Sequence, residues 1–370
     1  MAKRLKVLDL ACCECLRCTP NLSTFRELEM LILKKCHRLE EVHPSIGEVK
    51  SLVSLDLSEC GSLKKLPEEV KELENLKELI LDFAGITEIP TSIGSLTKLK
   101  ILSARNCRSL LEIPSSIWDI QNLQYLDISE SAIEKLPSAD GRVEKPGRSA
   151  FTELKNVILK DCYRLKQVHP IGKVKSLVSL DLSGCSSLKE LPEEVGELEE
   201  LKELILDSTG IKAIPPSIGS LSKLEKLSAR CCLSLREIPS SIGDLENLQQ
   251  LDISESAIES LPNAIGKLKK LRRLNLDYCL SLKGKIPSEI GDLSSLEILQ
   301  LTGAPISDLP ESINNLSSLQ HLNLEGKLRS LPELPSGLKY LRVSCRSPRL
   351  PQLSCLIHLE TLCLSWKRST

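Results

Sequence analysis

"LVSLDLSEC", residues 52–60, places Leu55 and Leu57 two apart, with Leu52 three residues before them. A spacing of two is the side-chain period of an extended strand, so Leu55 and Leu57 turn to one side while Ser54, Asp56 and Ser58 turn to the other. The same string, Leu-x-x-Leu-x-Leu or a close variant, starts sixteen times: at Leu5, Leu28, Leu52, Leu76, Leu99, Leu123, Leu154, Leu177, Leu201, Leu224, Leu248, Leu271, Leu296, Leu319, Leu338 and Leu359. Most starts are 23 or 24 residues apart; one interval is 31, and the last two are 19 and 21. One such unit cannot bury its own leucines. Units stacked with their strands in parallel share a continuous core.

Between the strands stand segments such as "LPEEVKEL" (66–73) and "IPTSIGSL" (89–96). Their proline forbids a long helix, and apolar residues then return at helical spacing. These segments predict one or two helical turns on the side away from the strands. Such turns are wider than the separation of paired strands, about 4.8 Å. The expected fold is therefore an α/β solenoid of horseshoe form, with a parallel β-sheet on the concave face and short helical or 3-10 turns on the convex face. The leucine pattern and its period, within roughly 20–29 residues, are those of leucine-rich repeats.

The 370 residues carry 49 basic and 50 acidic side chains. That balance offers no electrostatic hold on nucleic acid or an anionic membrane. Aromatic residues are 2% of the chain, too few for the stacking platforms of single-strand binders. Charges interrupt "MAKRLKVLDLACCECLRC" before an apolar run of signal length develops, and nowhere do 18 apolar residues run together. Fifteen cysteines without a secretion signal point to a reducing compartment and free thiols. The expected location is the cytoplasm, with the nucleus as a second compartment.

"ACCECLRCTP" (11–20) crowds Cys12, Cys13, Cys15 and Cys18 together, and Cys15-Leu-Arg-Cys18 has the spacing of half a zinc site. The repeat explains most of it. Cys13, Cys36, Cys60, Cys162, Cys185 and Cys279 each stand three residues after the last strand leucine, and Cys107 and Cys232 do so after Ala104 and Ala229. This column is the Asn/Cys position at which the chain leaves the strand and turns inward, where a small apolar side chain with a weak donor fits. Zinc would need Cys15, Cys18, Cys36 and His37 to converge tetrahedrally, which side-by-side repeats oppose. Disulfides down the column are opposed by parallel Cβ vectors and a reducing setting. Neither metal nor cofactor is expected.

A larger duplication overlies the repeat. Residues 50–137 and 175–262 align without gaps at an offset of 125, with about three positions in four identical. The match extends back to Phe25 and Phe151 through "VHPSIG" and "VHPIG", so a five-repeat block, about 25–137, recurs as about 151–262. Residues 1–370 are thus read as a single domain of about sixteen repeats. The insertion "SADGRVEKPGRSAF" (138–151) reads as a solvated loop at the join, with contact to a partner as its alternative role. Because solenoids need capped ends, and the chain opens and closes within strand patterns, neighbouring domains or a partner are expected to cover them.

Thr19-Pro20-Asn21-Leu22-Ser23, then Cys36, then "VHPSIG" from Val42 to Gly47, closely resemble the first repeats of plant TIR-type nucleotide-binding leucine-rich-repeat disease-resistance proteins. "SLKELPEEVGEL" and "IPPSIGSL" are similar to the same family. The resemblance implies a non-catalytic sensor for a pathogen effector or a guarded host protein. In full-length relatives its partners would include TIR and nucleotide-binding domains, whose switch it restrains. The phosphate-cradling G-x-x-x-x-G-K-[ST] string is absent: Gly172-Lys173, Gly266-Lys267 and Gly326-Lys327 are followed by Val or Leu. Nucleotide and NAD chemistry therefore do not carry over. Other readings are an intracellular scaffold similar to Ras-group leucine-rich-repeat proteins, which share "LPxxIGxLxxLxxL", and a receptor-kinase ectodomain, hinted at by "GKIPSEIGDL" (284–293).

Binding chemistry is expected on strand residues that face the hollow: Asp56, Ile80, Asp82, Arg105, Tyr125, Asp127, Asp181, Ile205, Asp207, Arg230, Asp252, Arg273 and Asp277. These residues read either as a soluble face with β-favouring isoleucines or as a mixed acidic, basic and apolar strip for a folded protein, toward which isoleucines at matched places, Ile32, Ile80, Ile158 and Ile205, point. Reversing the charge of Asp56, Asp127, Asp181 and Asp252 is expected to abolish capture of that protein and spare the fold. The five histidines, His37, His43, His169, His321 and His358, are scattered, and His43 and His169 are placed where other repeats carry the Leu of "LP". No catalytic set follows from these spacings.

Overall fold

Every Leu-x-x-Leu-x-Leu string becomes a short strand that begins two residues after its first leucine. The structure, a computed structural model, describes residues 4–137, 153–283, 286–345 and 355–366; the insertion at 138–151 lies outside them. The chain divides into two compact units, Met1–Ser187 and Leu188–Thr370. The first holds β1 (Val7–Asp9), β2 (Met30–Ile32), β3 (Ser54–Asp56), β4 (Glu78–Ile80), β5 (Ile101–Ser103), β6 (Tyr125–Asp127), β7 (Asn156–Ile158) and β8 (Ser179–Asp181). The second holds β9 (Glu203–Ile205), β10 (Lys226–Ser228), β11 (Gln250–Asp252), β12 (Arg273–Asn275), β13 (Ile298–Gln300), β14 (His321–Leu328), β15 (Tyr340–Cys345) and β16 (Thr361–Trp366).

Within each unit the strands pair in chain order and all in parallel. The register keeps one leucine column in line, Leu31, Leu55, Leu79, Leu102 and Leu126 in the first unit and Leu204, Leu227, Leu251 and Leu274 in the second. All are buried, because each is covered by the repeat on either side. In β16, by contrast, Leu362 and Leu364 are 40% and 37% exposed. Stacking, rather than the single repeat, makes the core.

The segments opposite the strands are 3-10 helices, five residues long as in Thr91–Ser95 and Pro216–Ser220 and three in Ile171–Lys173. Proline sits just before the turn with an extended backbone, and Leu96 N–H closes it on the carbonyl of Ile93 at 3.1 Å. Ile93 and Ile218 fill the core. The next residue is glycine for a steric reason: a Cβ on Gly94 would lie 2.6 Å from the Ser116 carbonyl oxygen, and one on Gly219 2.7 Å from that of Ser241. Trp118 holds the same place in the β5 repeat, buried, with Nε1–H donating to the Pro137 carbonyl at 2.8 Å.

The cysteine column forms a ladder. Each thiol donates to the carbonyl of the residue just after the strand of the preceding repeat: Cys36 to Leu10, Cys60 to Leu33, Cys107 to Leu81, Cys162 to Ile128, Cys185 to Leu159, Cys232 to Leu206 and Cys279 to Ile253, at 3.0–3.2 Å. All seven are fully buried and free of disulfides. The residue just before the column has a left-handed backbone, including Glu59 (φ 61), Phe83 (φ 59) and Tyr278 (φ 56). Its N–H reaches the next repeat, as from Phe83 to the Arg105 carbonyl at 2.7 Å. Non-glycine residues accept this conformation at a cost of about 1–2 kcal/mol.

Candidate functional site

Side chains of the strand face stand in rows set by the register. In the first unit Glu78, Ile101, Tyr125 and Asn156 form one row, and Asp56, Ile80, Ser103, Asp127, Ile158 and Asp181 the next. In the second unit Glu203, Lys226, Gln250 and Arg273 are matched, as are Ile205, Ser228, Asp252 and Asn275. The sequence places the thirteen candidates on this face; the register brings Asp56, Ile80, Tyr125 and Asp127 onto neighbouring strands β3–β6, with Asp82 and Arg105 two residues beyond the ends of β4 and β5. Ile205, Asp252 and Arg273 lie likewise on β9–β12, with Asp207, Arg230 and Asp277 two residues beyond the ends of β9, β10 and β12.

Many of the aspartates serve the backbone. Asp56 accepts from Ser58 N–H at 2.9 Å, Asp181 from Ser183 N–H at 2.8 Å and Asp252 from Ser254 N–H at 3.1 Å. Asp127, only 8% exposed, takes Ser129 N–H at 2.9 Å and the Ser129 hydroxyl as well. Where the strand carries serine instead, the preceding repeat supplies the carboxylate. Asp82 accepts from Ser103 Oγ and Arg105 N–H, and Asp207 from Ser228 Oγ and Arg230 N–H. Asp277 likewise takes Thr302 N–H at 2.5 Å. Each of these carboxylates caps a strand exit, so charge reversal at Asp56, Asp127, Asp181 and Asp252 also removes a backbone cap.

The other candidates project from that framework. Arg105 and Arg230 are exposed and lie 3.6 and 3.8 Å from Glu130 and Glu255. Arg273 donates to Gln300 at 2.9 Å, and Gln300 in turn to Asp277 at 3.3 Å. Tyr125 donates its hydroxyl to Asp127 at 3.3 Å; burial, with the Asp127 charge, pushes its phenol up. Ile80 and Ile205 are half-buried. Sequence reasoning missed two exposed apolar groups at the strand exits: Phe83, 48% exposed, in the first unit, and Tyr278, Leu280 and Leu233, 53%, 70% and 77% exposed, in the second. No spacing marks them, since Phe83 and Tyr278 take left-handed positions that bulky side chains ordinarily avoid.

The histidines take structural places. Val42, not His43, fills the buried position of the "LP" leucine, and His43 stands where other repeats have proline. There Nδ1 accepts from Ser45 N–H at 3.1 Å and pairs with Ser45 Oγ at 2.8 Å, while the His43 N–H donates to Thr19 Oγ1. The second half of the zinc spacing is committed elsewhere. Cys36 Sγ faces the Leu10 carbonyl, and His37 Nδ1 lies 2.9 Å from that of Glu59. Among the described residues no three His, Cys, Asp or Glu side chains gather as a metal site, and no helix is long and apolar enough to cross a membrane.

Family comparison agrees with this geometry. The leucine-rich repeat region family matches residues 5–112 and 230–304, and the Leucine Rich Repeat family matches residues 176–198. The chain is a leucine-rich-repeat solenoid. Solved structures share the fold: InlJ from Listeria monocytogenes, described as including a cysteine ladder, superposes with TM-score 0.64 at 18% identity over 98% of this chain and 68% of that one. LIC12759, an LRR protein of Leptospira interrogans, gives 0.57 at 23% identity over 97% and 96%. Among curated proteins, the solenoid is 50% identical to TMV resistance protein N of Nicotiana glutinosa over 48 residues, 13% of this chain and 4% of that protein. It is 34% identical to disease resistance protein RML1A of Arabidopsis thaliana over 82 residues, 21% of this chain and 8% of that one. The solenoid thus spans a small fraction of these relatives, and no enzymatic family is indicated.

Proposed function

We propose that the solenoid is the recognition segment of a plant TIR-type disease-resistance protein and that its strand face holds a pathogen effector or a guarded host protein. The observation that carries the reading is the match to TMV resistance protein N and RML1A within the repeats. The strand face supports it. Its aspartates are tied to the backbone, so Ile80, Arg105, Tyr125, Ile205, Arg230 and Arg273 stand on a rigid frame, which lowers the ordering cost of binding. The capping carboxylates Asp56, Asp82, Asp127, Asp181, Asp207, Asp252 and Asp277 set the field around them. In a full-length protein, TIR and nucleotide-binding domains would adjoin the solenoid in the cytoplasm. A partner on the strand face would compete with contacts to the nucleotide-binding domain and shift its inactive–active equilibrium. The solenoid is a binding partner here and does no chemistry itself.

The test is proximity labelling in leaf cells that express the chain together with individual pathogen effectors. A partner recovered by the native chain is expected to be lost with Ile80→Arg/Arg105→Glu and retained with Lys98→Glu, which lies outside the strands, provided circular dichroism shows both variants folded. Equal recovery by both variants would remove the strand face as the recognition surface.

A further inference from the structure

The duplicated block supplies its own comparison. Across the twelve strand-face positions of its matched strands, from Ser54 to Ser129 and from Ser179 to Ser254, ten residues are the same in both copies. The two exceptions are Ile101 against Lys226 and Tyr125 against Gln250. Both exchange an apolar group for a polar one, and both lie in one row on adjacent strands.

In the first copy the exchange completes an apolar platform. Ile101 and Tyr125 are register partners across β5 and β6. Ile80 lies diagonally from Ile101 across β4 and β5, since Glu78 is the partner of Ile101 and Ile80 that of Ser103. In the second copy Ile205 has only Lys226 and Gln250 in the matching places. The platform is bordered by the carboxylates of Glu78, Asp82 and Asp127 and by Arg105, which is itself held near Glu130. Asp82 Oδ1 takes both of its bonds, from Ser103 and Arg105; among the described residues Oδ2 has none. Tyr125 is half-buried with its hydroxyl on Asp127, and an aromatic ring so placed attracts a cation to its face.

We propose that β4–β6 is the specificity-determining part of the recognition surface and that it takes a partner segment presenting a lysine or arginine next to an aliphatic or aromatic side chain. The apolar group seats on Ile80, Ile101 and Tyr125. The cation lies over the Tyr125 ring and within the field of Glu78 and Asp82. This rests on the reading of the strand face as the partner-binding surface. The second copy lacks this platform.

The two copies also provide the variants. Ile101→Lys/Tyr125→Gln gives β5–β6 the residues that β10–β11 already carry, and Lys226→Ile/Gln250→Tyr does the reverse, so both changes suit the fold. Random short peptides displayed on phage are selected on the full chain, and the winners are synthesised and titrated by fluorescence anisotropy. The expected winners carry a basic residue beside an aliphatic or aromatic one and bind more weakly as salt is raised. Ile101→Lys/Tyr125→Gln should weaken them by about tenfold or more, and Lys226→Ile/Gln250→Tyr should double the peptide bound per chain. Winners lacking a basic residue, or a library yielding none, overturn the proposed chemistry. Winners weakened by Ile205→Lys/Arg230→Glu but not by Ile101→Lys/Tyr125→Gln overturn the placement and leave the strand-face reading standing. Winners insensitive to all three variants overturn both.

Discussion

Alkaline pH should unfold this protein through its cysteine ladder. Burial pushes the thiols of Cys60 and Cys107 up to about 12, from an ordinary value of 9.0. Above that ordinary value the unfolded chain releases these protons while the folded chain keeps them, so the unfolded state binds fewer protons and stability falls as pH rises. The contribution is whole below 9.0 and is lost progressively toward about 12. Going from about pH 8 to about pH 10 removes about 1.4 kcal/mol per thiol and about 3 kcal/mol for the pair. That is a large share of a net stability of about 5–15 kcal/mol. The assay is urea unfolding followed by circular dichroism at both pH values, for the native chain and for Cys60→Ala/Cys107→Ala. The double variant is weaker at the lower pH, because the carbonyls of Leu33 and Leu81 lose their donors, yet its stability should fall less steeply by about 3 kcal/mol. Iodoacetamide gives an independent readout: exposed Cys15 and Cys18 should react while Cys60 and Cys107, whose thiolate fraction is about a thousandfold below that of an ordinary thiol, are spared. Parallel pH slopes in native and variant chains would refute the reasoning.

Gly94→Ala should lower stability by about 1–3 kcal/mol, because its Cβ has no room beside the Ser116 carbonyl. Gly61→Ala, with nothing within 4 Å of its Cβ, should stay within about 0.5 kcal/mol; equal thermal shifts for the two would contradict the packing argument. Asp127→Ala removes the acceptor of Ser129 N–H and should cost about 1 kcal/mol or more, whereas Asp127→Asn keeps an acceptor and should retain most of that. Thermal melts that rank the asparagine variant with the alanine variant would show that the cap contributes nothing.

The repeat was legible because its signal is periodic. Leu55 and Leu57 announce a strand by spacing alone, and Cys60 announces a turn by its distance from Leu57. Non-periodic features were harder to read. Spacing puts Asp56 and Asp82 on the same face but does not reveal that one caps its own chain and the other the next repeat. His43 precedes a proline, as Leu66 does, and so was misregistered by one residue; the turn geometry places it with Pro67. The left-handed backbones of Phe83 and Tyr278 were invisible, because bulky side chains ordinarily avoid that region. The strand face could be listed residue by residue from the sequence, but its apolar platform emerges only when Ile101 and Tyr125 are set side by side.

The capping pattern also bears on how such arrays lengthen. Within the copied block, Asp56 and Asp127 cap exit amides of their own repeats, whereas Asp82 serves β5, as Asp207 serves β10 in the copy. At the junction of the copies Asp127 caps its own repeat, so an excision or insertion there orphans no amide. A crossover between β4 and β5 that brought in a repeat without such an aspartate would strand Arg105 N–H. Recombination that preserves folding is therefore steered toward some joints and away from others, and the seam of this gene's duplication falls at a permissive one.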